Sequence, residues 1–264
     1  LLAVAISGVS SIMGAVNFVT TIVRMRAPGM TWFRMPVFVW TVLSAQIIQL
    51  FGLPALTAGA VMLLLDLTVG TSFFDPAKGG DPVLFQHFFW FYSHPAVYVI
   101  ILPIFGIFSE IFPVYARKPL FGYKVVAISS LVITGLSGIV WVHHMFASGT
   151  PGWMRMAFMA TTMLISVPTG IKVFAWVATI WGGKLRLNTP MLFALGGLVM
   201  FVFAGITGIM LAAVPIDIHV NNTYFVVGHF HYVIYGATVM GLYAAFYHWF
   251  PKMTGRMVNE TWGR

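Results

Sequence analysis

Apolar residues along this chain gather into seven long runs, at about 2–23, 37–65, 83–112, 122–146, 157–182, 189–213 and 224–250. Short polar stretches separate them. Each run is long enough to cross roughly 30 Å of hydrocarbon as a helix. None shows the sustained period-2 alternation of a membrane β-strand. The pattern predicts an all-α fold, a polytopic transmembrane helix bundle of seven spans, with residues 1–264 forming one membrane domain. No 20–50-residue repeat and no low-complexity segment divides it.

Composition agrees. The chain is 59% hydrophobic and 8% charged, with mean hydropathy +0.92, which excludes a soluble domain. There is no cysteine, so disulfides and thiolate metal sites are excluded. A net charge of +8 suggests nucleic acid, but the positions of the bases argue against it. Arg24, Arg26 and Arg34 follow run one, Arg117, Lys118 and Lys124 follow run three, Lys184 and Arg186 follow run five, and Lys252, Arg256 and Arg264 close the chain. The loops between carry Asp66, Asp75 and Asp81 with one Lys78, then Arg155 alone, then Asp217 with no base. Eleven of fourteen Lys and Arg thus fall on one face, which the positive-inside rule makes cytoplasmic or matrix. Runs one, three, five and seven then descend from the outer face inward. The chain begins inside an apolar run without Met and ends soon after run seven, so it reads as a piece of a longer protein.

Five histidines share the outer half of this bundle: His94 on run three, His143 and His144 on run four, His229 and His231 on run seven. Scattered structural histidines would not converge on one depth. Intramembrane imidazole is costly unless paired or ligating. His143 and His144, about 100° apart on a helix, can lean to one metal, and a third imidazole would complete a site suited to copper, zinc or iron. His229 and His231, about 200° apart, cannot share a metal but can hold separate centres on either side of one helix. Tyr98 lies one turn from His94 on the same face, placed to give a proton or an electron to something bound there. Pro95 and Pro103 are expected to kink run three. Lys172 is the one base well inside a run, with Thr169 a turn away. Glu110 and Ser109 sit at the inner end of run three. Together Glu110, Ser109, Lys172, Thr169 and Tyr98 form a polar series rising from the basic face, the pattern of a proton path. Asn17, Ser10 and Ser11 on run one suggest a second track. His248 is expected at the inner interface.

Four strings carry a resemblance over the whole chain: Trp90-Phe91-Tyr92-Ser93-His94-Pro95-Ala96-Val97-Tyr98, Trp141-Val142-His143-His144-Met145-Phe146, Pro168-Thr169-Gly170-Ile171-Lys172-Val173-Phe174 and His229-Phe230-His231-Tyr232. With them the chain resembles helices four to ten of the twelve in subunit I of the heme–copper oxygen reductases, the cytochrome c oxidase family. The resemblance implies that His94, His143 and His144 bind the copper called CuB. It implies that His229 holds the high-spin heme and His231 the low-spin heme, heme A being the expected type, and that Tyr98 is covalently joined to His94. Thr169, Lys172 and Ser109 resemble its K proton channel, with Glu110 near the entrance. Where many members have Glu two residues after the first copper histidine, Ala96 stands here. Tyr92-Ser93 resembles the bacterial subclass that ends its other proton path on a tyrosine. Asn221-Asn222 replace the usual His-Asp of a magnesium site, which puts magnesium in doubt, since amides bind a hard cation less well than carboxylates. Asp217 and His219 remain nearby.

The resemblance implies the catalytic subunit of a terminal respiratory oxidase in a bacterial inner membrane. It would reduce oxygen to water, take up and pump protons, and work with subunits II and III and cytochrome c. A quinol oxidase shares the same core. Nitric oxide reductases lack the Tyr98 and Lys172 pattern. A proton-coupled metal transporter would explain intramembrane His and Lys but not the opposed His229 and His231, and a fragment lacking one low-spin ligand would be inactive alone.

Overall fold

The computed structural model describes residues 1–264 and contains helices and no strands. Helix α1 spans Leu2–Arg24, α2 Val37–Thr68, α3 Pro82–Ala116, α4 Tyr123–Ser137, α5 Gly152–Ile180 and α6 Thr189–Ala212. A short α7, Val214–Val220, precedes α8, Tyr224–His231, which continues through a π-helix at Tyr232–Val239 into α9, Met240–Thr254. A last turn, α10, covers Glu260–Gly263.

Six helices are long and apolar enough to cross a membrane, where seven were expected. The exception is run four. Its α-helix stops at Ser137, and Trp141–Met145 forms a separate 3-10 turn. Gly138 caps the break, and a Cβ there would press on the Phe51 ring at 3.2 Å. A fifteen-residue α-helix rises ~23 Å and five 3-10 residues add ~10 Å, so the composite still covers about the hydrocarbon thickness.

Capping and side-chain bonds order the α2–α3 connection. Asp81 accepts the Val83 N–H at 2.8 Å, with Pro82 opening α3. Asp66 accepts from the Thr71 hydroxyl at 2.6 Å and from the Phe73 and Phe74 amides at 2.9 Å each, tying the α2–α3 loop. Helix α3 runs through Pro95, Pro103 and Pro113 without interruption. It is the axis of the bundle. Its Leu102, Phe105, Phe108, Ile111 and Phe112 pack with Ile48 of α2, Ile133 of α4, Trp176 of α5, Phe201 of α6 and Ala244 of α9. At Gly106 the α2 and α3 backbones meet so closely that a Cβ would stand 2.7 Å from Phe38 Cα. The outward faces carry bare apolar side chains such as Ile6, Phe174 and Trp181. His248 is buried near the basic end of α9, between Tyr115 Oη at 3.2 Å and Lys252 Nζ at 2.9 Å.

Candidate functional site

The broken fourth pass exists to present two histidines. Trp141 wedges between Phe91 and Phe158, with ring centroids 5.0 and 4.7 Å away, and donates its indole N–H to His87 Nδ1 at 3.2 Å. Val142 and Met145 are fully buried beneath it. The turn between them directs His143 and His144 at His94 on α3.

One ring nitrogen from each of His94, His143 and His144 lies within 4.8 Å of the other two, close enough to share a metal ion. His94 Nδ1 stands 3.1 Å from His144 Nε2. Two nitrogens each ~2.0 Å from one ion stand roughly that far apart, so the spacing fits a shared metal. Trp90 stacks flat on the His144 ring at 4.0 Å and 6°. Thr162 of α5 sets His143: its hydroxyl donates to the Phe158 carbonyl at 2.5 Å, so at 3.0 Å it accepts from His143 Nδ1. The tautomer that results leaves His143 Nε2 free to ligate. His94 Nε2 is buried with no hydrogen-bond partner. A buried polar atom left bare calls for a bonding partner that the protein's own hydrogen bonds do not provide.

Tyr98 is one turn below, its ring centroid 4.8 Å from that of His94 at 68°. On α8, His229 Nδ1 donates to the Ala204 carbonyl at 3.0 Å and to Thr207 Oγ1 at 3.2 Å, both on α6. Gly208 makes room for the ring, since a Cβ there would lie 2.9 Å from His229 Cε1. His231 is exposed on another side of the helix, its Nδ1 donating to the Val227 carbonyl at 2.8 Å. Both rings thus leave Nε2 without a hydrogen bond to the chain, with Nδ1 held by a carbonyl as in an imidazole able to ligate a metal. The π-helical turn begins directly after them. Such turns inside α-helices recur at functional sites.

The polar series is brought together only in part. Lys172 is fully buried and bonds to the Val126 carbonyl at 2.8 Å and Ser130 Oγ at 2.7 Å, both on α4. Thr169 donates back to Ile165 at 3.0 Å. Ser109 accepts the Trp176 indole N–H at 2.9 Å and donates to Phe105 at 2.7 Å. Glu110 accepts the Phe38 amide at 3.3 Å. Tyr92 donates to Gln49 of α2 at 3.1 Å, and Ser93 is half-buried beside it. A cleft of about 310 Å³ joins Tyr92 to Ser11 and Ser7 of α1, whereas Asn17 and Ser10 lie exposed on that helix. On α7, Asp217 accepts from Asn221 Nδ2 at 3.1 Å. Thr162, Gln49, Ser130 and Gly208 were not among the expected site residues. Hydroxyls and an amide inside apolar runs were the available signal for the first three.

A family model described as Cytochrome C and Quinol oxidase polypeptide I matches residues 1–264. The chain belongs to that family. Among oxidase polypeptides I, cytochrome c oxidase subunit 1 of Synechocystis sp. is 60% identical and that of Thermostichus vulcanus 56%. The chain is covered completely in both matches, which take in 48% of each relative. The Bacillus subtilis subunit is 48% identical, with 42% of its length matched. The chain therefore spans about half the length of the curated relatives it matches. A solved heme–copper terminal oxidase dimer superimposes with TM-score 0.72 at 24% identity, over 82% of this chain and 41% of that one, a likeness of fold. As an oxidase polypeptide I, this chain is a multi-pass membrane protein, and its histidine triad is of the kind that could hold a metal.

Proposed function

We propose that this chain is the core of the catalytic subunit of a cytochrome c oxidase, which reduces oxygen to water and couples the reaction to proton uptake and pumping. The convergence of His94, His143 and His144 from α3 and the 3-10 turn, with the bare His94 Nε2, carries the reading. His94, His143 and His144 would hold copper, His229 a high-spin heme and His231 a low-spin heme, heme A being the expected type. Bound there, these groups supply the electron transfer to oxygen.

The chain's own residues do the rest. Thr162 and Ala204 fix the tautomers of His143 and His229 so that each offers Nε2. Tyr98 supplies a proton and an electron from beside His94. A bond from His94 Nε2 to the Tyr98 ring, formed with loss of two protons and two electrons to oxygen in turnover, accounts for the unpartnered nitrogen. Lys172, with Thr169, Ser109 and Glu110, carries protons towards Tyr98, while Tyr92 and Ser93 end a second path from the Ser10, Ser11 and Asn17 side. Each charge moved across the membrane works against about 2.3 kcal/mol per 100 mV.

Subunits II and III complete the complex in a bacterial inner membrane, with the basic loops cytoplasmic. Cytochrome c is favoured over quinol as donor because the relatives at 48–60% identity carry that name. Asn221-Asn222 leave magnesium without its usual carboxylate. The test uses the full-length parent with its partner subunits. Metal analysis and optical spectra should find copper and two hemes in the parent. His143→Ala should lose copper, His229→Ala the CO-reactive heme and His231→Ala the low-spin band. A well-folded parent with neither copper nor heme would overturn the assignment and favour a metal transporter.

A further inference from the structure

Lys172 makes no bond to any of the groups that sequence reasoning placed beside it. Its amine is enclosed by α4, which offers two acceptors one helical turn apart, the Val126 carbonyl at 2.8 Å and Ser130 Oγ at 2.7 Å. Ser130 is itself completely buried, and its hydroxyl proton is directed at the same Val126 carbonyl, 3.2 Å away. Its oxygen lone pairs therefore face the amine. Ser129 adds a third donor to that carbonyl at 2.8 Å. No carboxylate lies within ion-pair distance of Lys172; the ion pairs of the molecule are Lys78–Asp75 and Arg264–Glu260, both in polar ends. Hydrogen bonds from a charged donor are stronger than neutral ones, and in a dry site a protonated amine depends on them.

The geometry points to Ser130 as a docking residue for the protonated Lys172. It is a positioning residue, acting through the amine it holds. Two of the three ammonium protons are engaged by Val126 and Ser130, leaving the third to be passed on to the Thr169 and Tyr98 side. Once that proton leaves, the neutral amine binds its acceptors less strongly and is free to move until it is reprotonated from the basic face. Ser130 thus sets where the proton waits. This inference rests on the proton-path reading of Lys172, and the test separates the two.

The measurement is anaerobic proton uptake by the full-length oxidase with its partner subunits, followed with a pH-indicator dye during reduction by hexaammineruthenium(II), which gives up an electron without releasing a proton. Parent, Ser130→Ala, Ser130→Thr, Lys172→Met and the Ser130→Ala/Lys172→Met double variant are compared, each checked for an intact heme spectrum. Losing one of two charge-assisted bonds should slow uptake by about tenfold in Ser130→Ala. Ser130→Thr, which keeps the hydroxyl, should recover most of the rate, and Ser130→Ala should add nothing to Lys172→Met. If Ser130→Ala does not assemble, Ser130→Cys, similar in size and a weak acceptor, takes its place with the same expectation. Parent-like uptake in Ser130→Ala alongside slow Lys172→Met would overturn the dock and leave the path standing. Parent-like uptake in Lys172→Met would overturn the path and the dock with it. An equal loss from Ser130→Ala in both backgrounds would reduce Ser130 to packing.

Discussion

Single hydroxyls and carbonyls set the chemistry of this site. Thr162 can only accept from His143 because its own proton is committed to Phe158. Thr162→Val keeps the shape and removes that acceptor. It should weaken copper retention by about 10–100-fold, read from copper content after dialysis against a chelator, with the hemes retained. Gln49 plays a comparable part for Tyr92. Its amide oxygen accepts the phenol hydrogen bond, and Gln49→Leu would leave a half-buried hydroxyl without that partner. Asp217 gives a pH signature. Burial raises its carboxyl above the ordinary range, and the Asn221 bond offsets only part of that. The folded state therefore favours the neutral form. The penalty for ionised Asp217 is absent below the unfolded value near ~3.9 and complete above the raised folded value. Asp217→Asn should gain thermal stability over the parent at pH 7 and lose that advantage in acid. A gain unchanged across this range would contradict the argument.

At the scale of elements, hydrophobic patterning was enough for six of the seven passes. The run at 189–213 became α6 Thr189–Ala212, and the run at 37–65 became α2 Val37–Thr68, because length and apolarity alone decide a membrane helix. The fourth pass was not legible in the same way. Gly138-Ile139-Val140-Trp141-Val142 is as apolar as any helix interior, and only the close spacing of Gly135 and Gly138 marked the break. The histidine strings were legible because ligation demands particular residue types. The Ser130–Lys172 bond was not, since it joins positions 42 apart. Ser109 likewise is tied to Trp176, 67 positions away, rather than to Lys172. The approach of α6 to α8 gives a sharper test. Gly208→Ala adds a Cβ 2.9 Å from His229 Cε1, and the ring has to shift. The CO-reactive heme signal should fall in Gly208→Ala and fall further in Gly208→Val, with the low-spin band on His231 unchanged.

For the whole molecule, orientation and assembly follow from the same bundle. The basic loops share one side, and residues 1–264 carry no cysteine, so in a full-length protein cleared of cysteines elsewhere single cysteines report position cleanly. In the full-length protein, Ala77→Cys should react with an impermeant maleimide in intact cells, and Ala27→Cys only after lysis. The reverse result would invert the topology. Helix α3 contributes both the central packing of Phe105 to Phe112 and the first ligand of the triad. His94 and His144 are 50 residues apart in sequence and 3.1 Å apart in space. An ion held by both is a removable cross-link that closes a long loop. It restricts the unfolded chain as a covalent bridge would, with a loop-closure cost that grows only logarithmically with length. The ion binds the folded chain in preference to the unfolded one, and so stabilises it by mass action. The loop it closes includes all of α4, and Thr162 of α5 must already be docked to turn His143. Metal insertion would then follow the docking of these helices, and a filled site would clasp α3 to the turn that follows α4.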